Sequence, residues 1–164
     1  MPPKSDFVEY DLVVSLVESI MKNTDGGEKR GSSDPFWPKA ERLFLQAIFI
    51  FTIDGFPPEE RNMVTALNLI SMLEIGEDDD MQSDLDFFVK IFARIFGENH
   101  IGVQQYNEFR SKASGKTAKS IAISAVSRLA PYRSCSIRTL FPHINGEQVF
   151  LEEWKRNIED NKFI

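Results

Sequence analysis

The sequence predicts an all-α protein, a compact bundle of about seven to eight helices around one central buried helix at about 35–53. Three observations carry that prediction. The stretch Asp34-Pro35-Phe36-Trp37-Pro38-Lys39-Ala40-Glu41-Arg42-Leu43-Phe44-Leu45-Gln46-Ala47-Ile48 opens with an Asp cap and a proline in the first turn, then turns apolar on nearly every face. A helix of that composition must be wrapped by other helices. Elsewhere apolar residues recur at steps of three and four, and no segment alternates as a strand requires. With 164 residues, 42% of them hydrophobic and 27% charged, the chain has the make-up of one globular domain, residues 1–164. Its fourteen phenylalanines supply large core side chains.

The elements follow in order. Over 6 to about 22, Phe7, Tyr10, Val14, Val17 and Met21 line one side of an amphipathic helix. Three glycines and small polar residues in 23–33 mark a loop. The central helix comes next and stops at Asp54-Gly55. Pro57-Pro58 cannot continue a helix but can start one, and Glu59 and Glu60 suit its positive end. Met63, Val64, Leu67, Ile70 and Leu73 then form a third stripe, ending near Gly76. Ser83, with Asp86 three residues on, caps a fourth helix whose buried stripe is Leu85, Phe88, Phe92, Ile95 and Phe96, and Gly97 stops it. Asn99 caps a fifth helix bearing Ile101, Tyr106 and Phe109, with His100 in its first turn. A sixth runs over 115–130 and ends at Pro131. Two shorter helices are expected at 134–140 and 148–158, the second with Phe150, Leu151, Trp154 and Ile158 inward.

Net charge is −6, which argues against a general nucleic-acid glue, yet the charge is segregated. Residues 54–86 hold ten acids against Arg61 alone, a balance of −9, and 107–138 hold seven bases against Glu108 alone, a balance of +6. Opposite surfaces could therefore meet different partners. Cys135 is the only cysteine, so no intrachain disulfide forms and a reducing compartment is the natural home. The start lacks the apolar core of a signal peptide. The longest apolar run, 43–53, is interrupted by Gln46 and Thr52 and has about half the length needed to cross a bilayer. A cytoplasmic location is the expectation.

Several motifs resemble chemistry without supporting it. Gly115-Lys116-Thr117 suggests a phosphate-binding loop, but that motif needs glycine at 110, where Arg110 stands, and a preceding strand. Glu77-Asp78-Asp79-Asp80 suggests calcium; a loop begun at Asp78 requires glycine at 83 and glutamate at 89 and finds Ser83 and Val89. A solvated acidic loop is the simpler reading. His100 and His143 are the only histidines and with one cysteine cannot fill a zinc shell at recognisable spacing. No nucleophile elbow is present. No catalytic, cofactor-binding or metal-binding residues are expected.

The sixth helix is two-faced. On a helical wheel Lys116, Ser127, Ser120, Ser124, Thr117 and Arg128 share an arc of about 120°, opposite Ile121, Ala125, Ala118, Leu129, Ala122 and Val126. Hydroxyls and bases at this spacing suit an anion, and Arg110, Lys112, Lys116, Lys119, Ser120 and Arg128 form the candidate DNA- or partner-binding set. The same face also reads as a solvated helix surface with serines chosen for close packing. The acidic residues Glu77, Asp78, Asp79 and Asp80 form a second candidate surface, suited to a basic protein partner.

Four strings, in this order, resemble one family: Asp34-Pro35-Phe36-Trp37, Pro57-Pro58-Glu59-Glu60-Arg61, Gly115-Lys116-Thr117-Ala118-Lys119-Ser120 and Arg128-Leu129-Ala130-Pro131. Over about 13–133 the chain resembles the all-helical domain inserted into the ATPase of conjugative type IV secretion coupling proteins of the TraG/TraD type. In that family the motor is a membrane-anchored hexamer that passes relaxase-bound DNA and effector proteins to a secretion channel. The resemblance implies a non-catalytic adaptor on the cytoplasmic face, without direct membrane contact. Its implied partners are a relaxase or relaxosome accessory protein, the parent motor if the chain is an excised domain, and in some members DNA. Residues 134–164 depart from the family pattern and read as a closing helical segment. An excised domain and a stand-alone protein both remain open.

Overall fold

A computed structural model describes residues 6–24, 36–73, 82–113 and 115–135. Six α-helices and two short 3-10 turns account for nearly all of them, with no strand among the described residues. The helices are α1 (Asp6–Thr24), α2 (Phe36–Asp54), α3 (Met63–Ser71), α4 (Asp84–Phe96), α5 (Ile101–Lys112) and α6 (Gly115–Leu129). Six is fewer than the seven to eight expected. Of the two further helices expected beyond Pro131, only Ser134 and Cys135 are described, and neither is helical.

The prediction of a central helix holds. From Phe44 to Ile53 every residue of α2 is buried, and so are Ala40 and Glu41. Helices α1, α3, α5 and α6 all pack on it, α5 along the greatest length. Seven phenylalanines, Phe44, Phe51, Phe56, Phe88, Phe92, Phe96 and Phe109, make one connected aromatic core through Tyr106. Phe44 meets Phe109 at 4.7 Å between ring centres, and Phe51 meets Phe92 edge-on at 4.9 Å. Burying each such ring stabilises the fold by about 1.5–3 kcal/mol, so this cluster dominates the core. The close approach of α5 to α2 depends on Gly102. A Cβ there would lie 2.9 Å from Cγ2 of Ile50 and 3.0 Å from Cε1 of Phe51.

Local details correct the sequence reading in four places. Pro58–Glu60 form a separate 3-10 turn, and α3 starts only after Asn62, whose side chain accepts the Thr65 amide at 3.0 Å. Asn62 is the better cap because its oxygen reaches that free amide, whereas Pro57, at the head of the prolyl turn, has no side-chain acceptor to offer. In α3 the inward residues are Met63, Ala66, Leu69 and Ile70, while Val64 is exposed. In α1 the buried side is Leu12, Val13, Leu16, Val17, Ile20 and Met21. That stripe is wide because α1 packs on both α2 and α6. Finally, His100 rather than Asn99 caps α5. Its Nδ1 accepts the Gly102 amide at 3.1 Å, which leaves the proton on Nε2 to be donated to Asp54 at 2.8 Å.

The capping box on α4 stands as read. Ser83 and Asp86 exchange side-chain-to-backbone hydrogen bonds, at 3.1 Å to the Asp86 amide and 2.8 Å from the Ser83 amide. Gly97, at φ 101°, ends α4 with its amide on the Ala93 carbonyl. Only three of the positions along α4 are fully buried, namely Leu85, Val89 and Phe92. Ile95, expected inside, is 70% exposed. No helix among the described residues is long and apolar enough to cross a membrane.

Candidate interaction surfaces

Helix α6 presents the two faces that the wheel describes. Ala118, Ile121, Ala122, Ala125 and Leu129 pack inward, and Lys116, Lys119, Ser120 and Ser127 are exposed. The small inward residues let α6 lie close to α2 and α3. Lys116, Lys119 and Ser120 therefore stay together on one open surface. The other three bases assigned to that set are held elsewhere.

Arg128 turns into the protein. Its Nε donates to Oε2 of Glu41 at 2.9 Å, and its Nη1 donates to the Met21 carbonyl at 3.2 Å and to Thr24 at 3.0 Å. Glu41 is wholly buried, so this pair ties α6 to α2 and to the last turn of α1. The guanidinium also satisfies a carbonyl that the end of α1 would leave without a partner.

Arg110 is likewise occupied. Its Nε and Nη2 bind Oδ1 and Oδ2 of Asp86, each at 3.1 Å, in a two-pronged pair that joins α5 to the first turn of α4. Tyr106 donates its phenol proton to the same carboxylate at 2.6 Å. Burial by itself would raise the Asp86 carboxyl. The hydrogen bonds from Tyr106, the Ser83 amide and Arg110, with the guanidinium charge, outweigh it and hold Asp86 below its ordinary value. Burial, then the hydrogen bond and charge of Asp86, push the Tyr106 phenol well up. Lys112 sits on the surface against Glu108, four residues earlier, at 3.1 Å. The acidic set Glu77, Asp78, Asp79 and Asp80 lies outside the described residues.

Two features escape the sequence reading. The first is Ile123, 60% exposed, which falls on the wheel between Lys116 and Lys119. The second is the outer side of α4. Phe87, Ile91 and Ile95, at successive steps of four, are 54%, 59% and 70% exposed. Lys90 and Arg94 run along one edge of this ridge, Lys90 with its ammonium 5.8 Å from the centre of the Phe87 ring. Beyond that edge an open groove of about 930 Å³ separates α4 from α5, lined by Asp86, Lys90, Arg94, Asn99, Asn107 and Arg110 among others. A signal was available: α4 carries more large apolar residues than one buried stripe can use, and Phe87 and Ile91 are the ones left over.

Among the described residues no cluster of His, Cys, Asp and Glu has the geometry to hold a metal ion. No protein-family model matches the chain, and neither a curated protein nor a solved structure does so.

Proposed function

We propose that the chain is a docking domain of the type IV secretion coupling kind. It recruits relaxosome proteins or secreted substrates to a motor and carries out no reaction itself. The observation that supports this reading is the pattern of exposure: large apolar side chains stand in solvent beside lysine or arginine on two well-packed helices. These are Phe87, Ile91 and Ile95 on α4 and Ile123 on α6. Exposed apolar residues grouped in this way, bordered by charge, mark surfaces that other proteins cover. The test is retention of purified relaxase and relaxosome accessory protein on the immobilised full chain. Retention that weakens with Ile91→Glu, or with Lys116→Glu plus Lys119→Glu, supports docking; failure to retain either protein at low salt refutes it.

A second reading, a module that contacts DNA phosphates through α6, draws on Lys116, Lys119 and Ser120, which are exposed and form no ion pair among the described residues. Labelled single- and double-stranded DNA titrated at two salt concentrations tests it. Binding at low salt that disappears in the Lys116→Glu plus Lys119→Glu variant would favour DNA over protein.

A further inference from the structure

The outer face of α4 has a composition that specifies its occupant. We infer that it is the seat of an acidic amphipathic helix, a partner segment with apolar residues every third or fourth position and carboxylates along one edge. The inference deepens the docking reading, and rests on it, by naming the partner class at one surface.

Placing Phe87 at zero on the wheel, Ile91 and Ile95 follow at about 40° and 80°, and Lys90 and Arg94 lie about 60° and 20° to the other side. The exposed arc is thus an apolar ridge with cations on one flank only. Phe87 to Ile95 covers about 12 Å, two turns of helix, which matches the i, i+4, i+8 spacing that a second helix offers in return. The inner flank of α4, through Leu85, Val89 and Phe92, is already committed to the core. Asp86, the acid nearest the cationic edge, is saturated by Arg110, Tyr106 and the Ser83 amide, so it does not neutralise Lys90 or Arg94. Arg94 has no ion pair among the described residues. Glu98 borders the groove beyond the end of the helix, and Asp84, in the first turn of α4, falls at about 60° on the wheel, away from the cationic flank. Partner carboxylates are therefore drawn to the middle of α4, opposite Lys90 and Arg94.

A second copy of this chain fits the ridge less well. Two antiparallel α4 helices, related by a two-fold axis that crosses them at Ile91, would bring each cationic flank against its own counterpart, placing Lys90 and Arg94 opposite the same pair. Like charges in that position repel. A basic partner meets the same objection, and an uncharged one leaves Lys90 and Arg94 partly desolvated without compensation.

The experiment uses the full chain and a fluorescein-labelled synthetic helix of about five turns, with leucines at i, i+4 and i+8 and glutamates beside them. A counterpart has lysines in place of the glutamates. We expect the acidic peptide to bind at least about tenfold more tightly than the basic one, with the difference shrinking as salt rises from about 0.05 M to about 0.5 M. Ile91→Glu should weaken binding by at least about tenfold, and Lys90→Glu plus Arg94→Glu should reverse the preference between the peptides. A photo-reactive benzoylphenylalanine replacing Ile91 should cross-link to the acidic peptide. Equal affinity for both peptides, no binding, or cross-links that go instead to a second copy or to residues 136–164 of the same chain would overturn the inference. The docking reading is tested separately. Relaxosome proteins retained by a chain that ignores the peptide would leave that reading standing and remove this one. Peptide binding by a chain that retains no relaxosome protein would do the reverse.

Discussion

Replacing Arg128 by Met separates a structural base from a ligand-binding one. Arg128 lies on the arc of α6 that also carries Lys116 and Ser120, so sequence reasoning treats the three alike. In the fold its guanidinium is the partner of Glu41, a carboxylate with no exposure, and it also holds the Met21 carbonyl and the Thr24 hydroxyl. Methionine keeps most of the volume and removes these three hydrogen bonds. It strands a charge in the apolar centre of the bundle, beside α2 residues that water does not reach. Stranding one member of a buried pair costs about 3–5 kcal/mol, against a total stability of about 5–15 kcal/mol for a domain of this kind. For a chain of this length that loss lowers Tm by an amount on the order of 10 °C. The double variant Glu41→Met plus Arg128→Met should recover most of the loss, because no buried carboxylate is then left without its guanidinium. Urea unfolding followed by far-ultraviolet circular dichroism measures all three stabilities, and Lys116→Met, on the exposed part of the arc, serves as the control within about 0.5 kcal/mol of wild type. An Arg128→Met protein as stable as wild type would refute the reasoning, as would a double variant no better than the single one.

Three further outcomes follow from the same geometry. Asp86 is held below its ordinary value of 3.8, so as pH falls the unfolded chain takes up this proton first; its contribution is complete above about pH 4 and is lost as pH drops through the lower folded value. Asp86→Asn should therefore cost about 2 kcal/mol at pH 7, and its deficit relative to wild type should narrow in urea titrations near pH 3; a deficit independent of pH would exclude the carboxylate as its source. Gly102→Ala gains helix propensity worth about 1 kcal/mol but forces a methyl against Ile50 and Phe51, so a net fall in Tm is expected, and a rise would mean that α5 and α2 are not in close contact. Ile91→Glu should change stability by no more than about 0.5 kcal/mol, since the side chain is already 59% exposed, and a large loss on calorimetry would show that this face is packed rather than open.

How much of this was legible beforehand depends on the range of the interaction concerned. The central helix, the capping box at Ser83 and Asp86, the stop at Gly97 and the two faces of α6 are settled by neighbours within one or two turns, and periodicity reads them correctly. The sequence pattern starts α3 a few residues early because a prolyl turn and a helix N-terminus look alike until a cap reaches its amide. The fate of Arg110 and Arg128 lay beyond such reading. Their partners are 24 and 87 residues away, on other helices, and no pattern along α5 or α6 encodes where those carboxylates stand. The same limit applies to Phe87, Ile91 and Ile95, since a wheel shows an apolar side but not whether another helix lies over it.

That limit bears on function, because an ion pair inside the protein removes a cation from the surface. The stretch 107–138 carries a balance of +6 in the sequence, yet Arg110 and Arg128 are held by carboxylates within the fold, and Lys112 lies against Glu108 at the surface. On the outer face of α6 this leaves Lys116 and Lys119. Two phosphate contacts correspond to a salt slope of only about −2, so binding to duplex DNA would fall roughly tenfold between about 50 and 200 mM salt from a starting point already weak. For phosphate contact Ile123, between the two lysines, is wasted; for a protein surface it is the apolar centre that the lysines border. The arrangement on α6 then repeats that on α4: exposed isoleucine with cations beside it. If both faces serve protein docking, charge reversal at Lys116 and Lys119 and at Lys90 and Arg94 should each weaken protein capture while leaving any residual DNA binding governed by α6 alone. A domain whose DNA affinity falls equally with either reversal would instead be reading charge in bulk, and the apolar centres would need another explanation.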